Sequence, residues 1–400
     1  MMYQVFKLSD YFKIKSSKRV HKSDWTKEGV PFYRAREIVK LSNNGQVKND
    51  LFISNELFER FKSITGVPKY QDIVISAVGT LGKCYMVKSD DKFYFKDASV
   101  LWFEKISQID SKYVIYLFKS NEIMKQILSN SMGATVGTLT ISRANEIKIP
   151  VPPLSEQKQI VETLDKAFEK IDKAIANVER NIENAEELFQ SQIESRFNSD
   201  LSWERINLGD LSKIMYGHTS KVDPNGNCKY LRITDIQDSK VNWDQVPSIK
   251  IDEKDFFKYN LNKGDIVFAR TGATTGKSYL IKDNPNAVFA SYLIRVQINN
   301  NNILPEFVYK FFSSREYWRV VKSGISGSAQ GGFNASKLSE LKIKFPKDII
   351  VQKKVVQEID IIEKNINALL SKYHTKLLSL SNLKKSILEK AFKGELTNAA

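Results

Sequence analysis

Two stretches of the chain each carry one apolar stripe at helical spacing, and both are far longer than an ordinary globular helix. From Ser155 to about Arg196, Ile160, Leu164, Ala167, Ile171, Ala174 and Val178 recur in alternating steps of four and three. Ile182, Ala185, Phe189 and Ile193 continue the stripe after one irregular step. Beyond residue 350, Val355, Ile359, Ile362, Ile366, Leu369, Tyr373, Leu377 and Leu380 repeat the pattern. Ser155 is a good N-cap, and Glu156 suits the positive end of the first helix. At 1.5 Å per residue each helix would be roughly 60 Å long, and a single-seam helix of that length is marginal alone. The two are therefore expected to pair as an antiparallel coiled coil, with Ile160, Leu164, Ile171, Val178, Val355, Ile359, Ile366 and Tyr373 at its interface.

The remaining segments mix short β-rich runs, turn signals and a few helical stretches. Ile73 to Ile75 and Ile266 to Phe268 read as buried strands, Lys258 to Asp265 as strand, turn and strand, and Val114 to Lys119 and Glu306 to Phe312 as helices. The expected fold class is α/β (α+β): two similar mixed-sheet globules, residues 1–154 and 197–349, separated by helical segments 155–196 and 350–400.

The two halves echo each other. Tyr113 to Ser120 reappears as Phe307 to Ser314, and Glu146 to Ile149 as Glu340 to Ile343, both at an offset of 194. Gly133, Gly137, Ser142 and Pro152 fall opposite Gly327, Gly331, Ser336 and Pro346 at that offset. Asp72-Ile73-Val74 with Gly79, Gly82 and Lys83 parallels Asp265-Ile266-Val267 with Gly272, Gly276 and Lys277, allowing one inserted residue. In the long helices Gln157-Lys158 and Asp165 match Gln352-Lys353 and Asp360. A period near 194 is too long for a solenoid and indicates a pseudo-two-fold tandem repeat.

Composition adds a charge argument. The 400 residues contain 42% hydrophobic and 27% charged side chains, a globular balance. No apolar run approaches the roughly 18–20 residues of a membrane span, so a soluble cytoplasmic protein with no membrane partner is expected. The net charge of +15 is uneven: +9 over residues 1–154, −4 over 155–196, +6 over 197–349 and +4 over 350–400. Basic globules beside an acidic helix point to a polyanion. Cys84 and Cys228 form no CxxC pair and read as inert packing residues.

Few motifs carry chemistry. Gly272-Ala273-Thr274-Thr275-Gly276-Lys277-Ser278 is one residue short of a phosphate-binding Walker loop, and Gly79 to Cys84 is shorter still. Both read better as Gly/Thr loops whose amides, hydroxyls and lysine meet nucleic-acid phosphates. His21, His218 and His374 lie in different segments with no metal-ligand or nucleophile pattern, and Asp283-Asn284-Pro285-Asn286 lacks the second proline and aromatic of an amino-methyltransferase motif. No cofactor is expected on this chain. Arg34 and Arg36 parallel Arg232, each arginine segment being followed by an acidic residue and isoleucine, and arginine can clamp phosphate or read guanine. The candidate DNA-binding residues are Lys18, Arg19, Arg34, Arg36, Ser76, Thr80, Lys83, Thr135 and Thr138 in the first repeat. In the second they are Lys221, Arg232, Arg270, Thr271, Thr274, Lys277, Ser328, Gln330 and Asn334. Thr140 belongs to the same polar loop as Thr135 and Thr138.

Pro152 to Val161 (PPLSEQKQIV), opening a long helix midway along a repeated basic chain, together with Leu383 to Leu396 (LKKSILEKAFKGEL), resembles the specificity subunit of type I restriction-modification systems. The resemblance covers the whole chain, although Phe345 to Lys353 lacks the double proline and glutamate at the second helix start. It implies two target-recognition domains on a coiled-coil spacer, reading a bipartite, asymmetric site on double-stranded DNA. It also implies two methylation (M) subunits carrying S-adenosylmethionine, which modify adenine N6, and motor-nuclease restriction (R) subunits using ATP and Mg. Competing classes are a recognition subunit that directs cleavage on both sides of its site, a fused nuclease or methyltransferase, and a non-catalytic coiled-coil adaptor.

Overall fold

A computed structural model describes residues 3–129, 137–198, 202–237, 239–326 and 332–396. The chain forms two compact units, residues 1–178 with 375–400, and residues 179–374, so each unit takes part of both long helices.

In the first unit an antiparallel four-stranded sheet runs in the order Phe12–Lys15, Val100–Lys105, Ile73–Ser76, Cys84–Met86. The second unit builds the same order from Ser212–Tyr216, Leu293–Ile298, Ile266–Ala269 and Ser278–Leu280. Ile73 to Ile75 and Ile266 to Phe268 are fully buried strand residues, as their unbroken apolar runs require. Each unit adds a parallel strand pair, Val30–Tyr33 with Tyr94–Phe95 and Cys228–Leu231 with Ala287–Phe289, which makes the architecture mixed.

The helices Ser111–Leu117 and Pro305–Phe311 lie where the sequence places them. The segment from Lys258 corrects the expectation: Glu253–Tyr259 is a helix, not a strand. Asp252 caps it by accepting the Asp255 N–H at 2.7 Å, and Glu253 and Asp255 favour its positive end, a local signal stronger than the alternation that follows.

The long helices span Leu154–Phe197 and Ile349–Phe392, 44 residues each. The first starts one residue before Ser155, which therefore sits inside the first turn rather than at the cap. The second, lacking the Pro-Pro-Leu-Ser-Glu lead-in, is capped by Asp348, whose carboxylate accepts the Ile350 N–H at 2.7 Å.

The helix seam does more than join helices. Ile160, Leu164, Phe168 and Ile171 are buried in one apolar cluster with sheet residues Phe12, Ile73 and Phe103 and with Leu388 and Ala391 of the last helix. In the second unit Val355 and Ile359 share a cluster with Ile193, Phe197, Ile266 and Phe307. Early central-helix residues thus meet the end of the last helix, late ones meet its beginning, and both pairings are antiparallel. The ion pairs Lys384–Asp172 and Arg196–Glu358 (3.4 Å) follow the same sense. These residues are globule core as well as helix seam, each full burial of a Leu or Ile being worth about 1.5–3 kcal/mol. Val178 is buried as well, whereas Ile366 and Tyr373 are half-buried and outside these clusters.

Candidate nucleic-acid interface

The repeat seen in the sequence holds at the level of single hydrogen bonds. In the first unit the Leu139 N–H donates to Ala77 O (2.9 Å), Gly82 N–H to Ser76 O (3.0 Å) and Ser76 N–H to Lys83 O (3.0 Å). In the second unit Phe333 donates to Arg270 O (3.0 Å), Gly276 to Ala269 O (2.9 Å) and Ala269 to Lys277 O (2.8 Å). Each bond therefore has its twin, and the Gly/Thr hairpin and the segment beside it form one frame built twice.

That frame takes up part of the hairpins' backbone donors. Besides the amides already named, Lys83 N–H is held by Ser76 Oγ (3.0 Å), Thr275 N–H by Gly272 O (3.1 Å) and Lys277 N–H by Thr274 O (2.9 Å), so these donors are committed inside the turn. Gly79 (φ +74) and Gly272 (φ +74) face open space, but Gly82 and Gly276 are tight because helices cross behind them. A Cβ on Gly82 would lie 2.9 Å from Met124 Sδ, and one on Gly276 would lie 2.7 Å from the Trp318 ring. What remains outward are side chains: Thr80, Lys83 and Lys277 are exposed, and Thr271 and Thr274 half-buried.

Several candidates are occupied elsewhere. Ser76 is fully buried, and its hydroxyl donates to Thr80 O (2.5 Å) while accepting from Lys83 N–H, so it braces the turn instead of facing a ligand. Arg34 donates from Nε and Nη2 to Glu37 at 3.0 and 3.1 Å, while the Glu37 carboxylate also accepts the Arg34 N–H. Arg232 makes the same three bonds to Asp235, at 3.1, 2.8 and 2.8 Å. Arg36 is shared between Glu37 and Asp50. The repeated Arg-x-x-acid pattern is therefore a helix-start device, and the guanidinium forks expected to grip DNA are filled by carboxylates. Burial pushes the Glu37 carboxyl up, but hydrogen bonds from Arg34 and Arg36 outweigh it and leave the group below the usual glutamate value.

Arg19 pairs with Asp97 at 2.9 Å, while Lys18 and Lys221 are exposed. Thr140 and Asn334 occupy twin positions as N-caps, accepting from Arg143 N–H (3.3 Å) and Lys337 N–H (2.9 Å). The backbone of Thr138 bridges to Val78, next to Gly79 at the start of the first hairpin turn. Thr135, Ser328 and Gln330 lie outside the described residues. Cys84 and Cys228 are buried, and burial pushes both thiols up, as inert packing requires. Among the described residues no group of His, Cys, Asp and Glu is arranged to hold a metal ion, and no helix is long and apolar enough to cross a membrane.

Arg270 differs from the candidate arginines described above. Its guanidinium stacks over the Tyr216 ring at 4.7 Å, its Nε is buried with no partner, and no carboxylate pairs with it among the described residues. Tyr216 and Tyr292 are both exposed, the first under the guanidinium and the second accepting the Arg270 N–H on its carbonyl at 3.2 Å, and neither stands out in the sequence. The signal existed: an offset of 193 between Asp72 and Asp265 sets Tyr292 against Ser99, with Arg270 against Ala77.

The fold thus defines a class: a tandem pair of mixed-sheet domains, each locked to the same pair of long antiparallel helices. A family model, the type I restriction modification DNA specificity domain, matches residues 2–183 and again 201–378, and the chain belongs to that family. A putative type I restriction enzyme specificity subunit from Haemophilus influenzae is 34% identical over 167 residues, 41% of this chain and 40% of the relative. The EcoKI specificity subunit of Escherichia coli is 26% identical over 316 residues, 72% of this chain and 66% of its own. The alignments to these curated relatives thus span between 40% and 66% of the relatives' lengths. Among solved structures, a chain from a study of assembly and conformational transition in the type I R-M system matches with TM-score 0.80 at 16% identity, covering 98% of both chains. The HsdS subunit from Thermoanaerobacter tengcongensis matches with TM-score 0.57 at 16% identity, covering 98% of this chain and 97% of its own.

Proposed function

We propose that this chain is the DNA-recognition subunit of a type I restriction-modification complex. Its two globular units read the two elements of a bipartite, asymmetric site on double-stranded DNA, and the catalytic chemistry resides in partner subunits. The observation that carries this reading is one hydrogen-bonded frame built twice with unlike side chains at matching places, Ala77 against Arg270 and Ser76 against Ala269. A symmetric site needs two identical readers; two unlike readers on one chain suit an asymmetric one. The surplus of +9 and +6 on the globular segments supports a phosphate-rich ligand and disfavours a purely helical adaptor.

The partners this reading requires are two methylation subunits carrying S-adenosylmethionine and motor-nuclease subunits using ATP and Mg, all in the cytoplasm. The chain itself contributes selection and is not an enzyme.

The test is base-modification sequencing of DNA from cells expressing the methylation subunit with and without this chain. N6-methyladenine at one split, asymmetric motif that disappears without the chain is the expected result. An unchanged pattern with an active methylation subunit would remove this reading and favour the adaptor.

A further inference from the structure

Three positions of the repeated frame are small in the first unit and large in the second. The Ala77 N–H donates to Ser99 O at 2.9 Å, and the Arg270 N–H donates to Tyr292 O at 3.2 Å, so Ala77 matches Arg270 and Ser99 matches Tyr292. Lys15 pairs with Trp102 and Met215 pairs with Arg295 in the corresponding strands, so the next residues, Ser16 and Tyr216, also match. Ser16, Ala77 and Ser99 are thus replaced by Tyr216, Arg270 and Tyr292.

We infer that Arg270, held by Tyr216 and flanked by Tyr292, is the guanine-reading residue of the second unit. This rests on the proposed DNA-recognition function and deepens it.

The physical case is one of preorganisation. The Tyr216 hydroxyl accepts the Ala335 N–H at 3.1 Å, which fixes the ring, and the ring in turn supports the guanidinium plane at 4.7 Å. A second restraint is the Phe333 N–H on the Arg270 carbonyl at 3.0 Å. Arg34 and Arg232 have their donor forks closed by carboxylates, whereas Arg270 has none among the described residues. A planar, oriented and un-neutralised fork matches the O6 and N7 acceptors of guanine in the major groove. A contact that only neutralises phosphate needs no such orientation, and exposed Lys277, in the adjoining turn, is suited to that task. Tyr292, 60% exposed, pairs with Arg270 through its backbone carbonyl (3.2 Å) and puts an aromatic side chain at the position that Ser99 holds in the first unit. The first unit, with Ala77 in this place, must read its element by other means.

The test maps the methylated motif directed by the wild-type chain, by Arg270→Lys and by Arg270→Ala, each expressed with the modification subunits of its own system. Arg270→Lys keeps the charge over the ring but loses the fork, so it separates readout from folding. The expected result is a relaxed preference at one guanine of the second element, on the order of ten- to a hundredfold, with the first element unchanged. A second measurement alters the base instead: replacing that guanine by 7-deazaguanine in a DNA probe weakens binding of the wild-type complex and leaves Arg270→Ala binding unaffected.

A motif whose second element stays intact in both variants overturns the inference. So does uniform weakening at all sites with the motif unchanged, which would make Arg270 a phosphate contact. If the wild-type chain directs no split motif, the DNA-recognition reading itself falls, and the inference with it.

Discussion

Gln352 is fully buried at the start of the last helix and donates from Nε2 to the Pro346 carbonyl at 2.7 Å. The same amide donates to Asn302 O at 2.7 Å, and its Oε1 accepts the Leu304 N–H at 2.8 Å. In the first unit Gln157 binds Pro152 O and the Asp110 N–H, both at 2.8 Å. One glutamine per repeat thus ties a long helix to its globule through backbone groups that have been removed from water. Replacing Gln352 by Leu leaves these partners unsatisfied and should cost about 2–4 kcal/mol. Urea unfolding would check this; a loss under about 0.5 kcal/mol would show that the amide is not a clamp.

The glycines of the two hairpins should separate by what lies behind them. Gly276→Ala drives a Cβ against the Trp318 ring and to 2.9 Å from Val321, at φ +93, and should destabilise by about 2–3 kcal/mol. Gly82→Ala meets mainly the flexible end of Met124, and Gly272→Ala meets open space, so both should cost less, about 1 kcal/mol for the left-handed backbone. Thermal melting of the three variants gives the order, and equal losses would contradict it.

Glu37 makes a pH-dependent contribution of known sign. Its folded pKa lies below the ordinary value of 4.5, so its stabilising effect is complete above 4.5 and is lost as pH falls through the lower folded value. Glu37→Gln should therefore be less stable than wild type at pH 7 by about 2 kcal/mol, with the difference shrinking in acid. Stability curves at pH 7 and pH 3 test this, and a difference that grew on acidification would refute it.

Lys83 and Lys277 occupy twin places on the two hairpins and are both exposed. As phosphate contacts, each replaced by Ala should reduce the salt slope of DNA binding by about one and leave the recognised sequence unchanged. Lys277→Ala should act through the second element alone. Titrations at several salt concentrations, using probes altered in one element at a time, would expose equal loss at both elements as a failure of independent reading.

The strands at Ile73 and Ile266 were legible because buried strands need unbroken apolar runs, and the long helices because a stripe at helical spacing persists over many turns. The tandem repeat was legible because hydrogen-bonded frames constrain sequence at fixed spacing. Lys258 carries no helix signal in its own neighbourhood because the capping aspartate, Asp252, lies six residues upstream. The candidate arginines were harder. Arg34, Arg232 and Arg270 are the same residue type in a basic segment, and nothing along the chain says which fork is closed.

The period, the buried strands, the long helices and the placement of positive charge follow from the chain alone, since each depends on residue type and local spacing. That Ile160 and Val355 are globule core as well as helix seam follows from the packing, because core membership depends on segments far apart in the chain. The packing also decided that Arg34 and Arg232 are paired with carboxylates while half-buried Arg270 stacks on Tyr216 with no carboxylate partner among the described residues. A charged side chain's availability is set by what folds against it, and the groups packed around Arg270 come from three separate strand ends and loops.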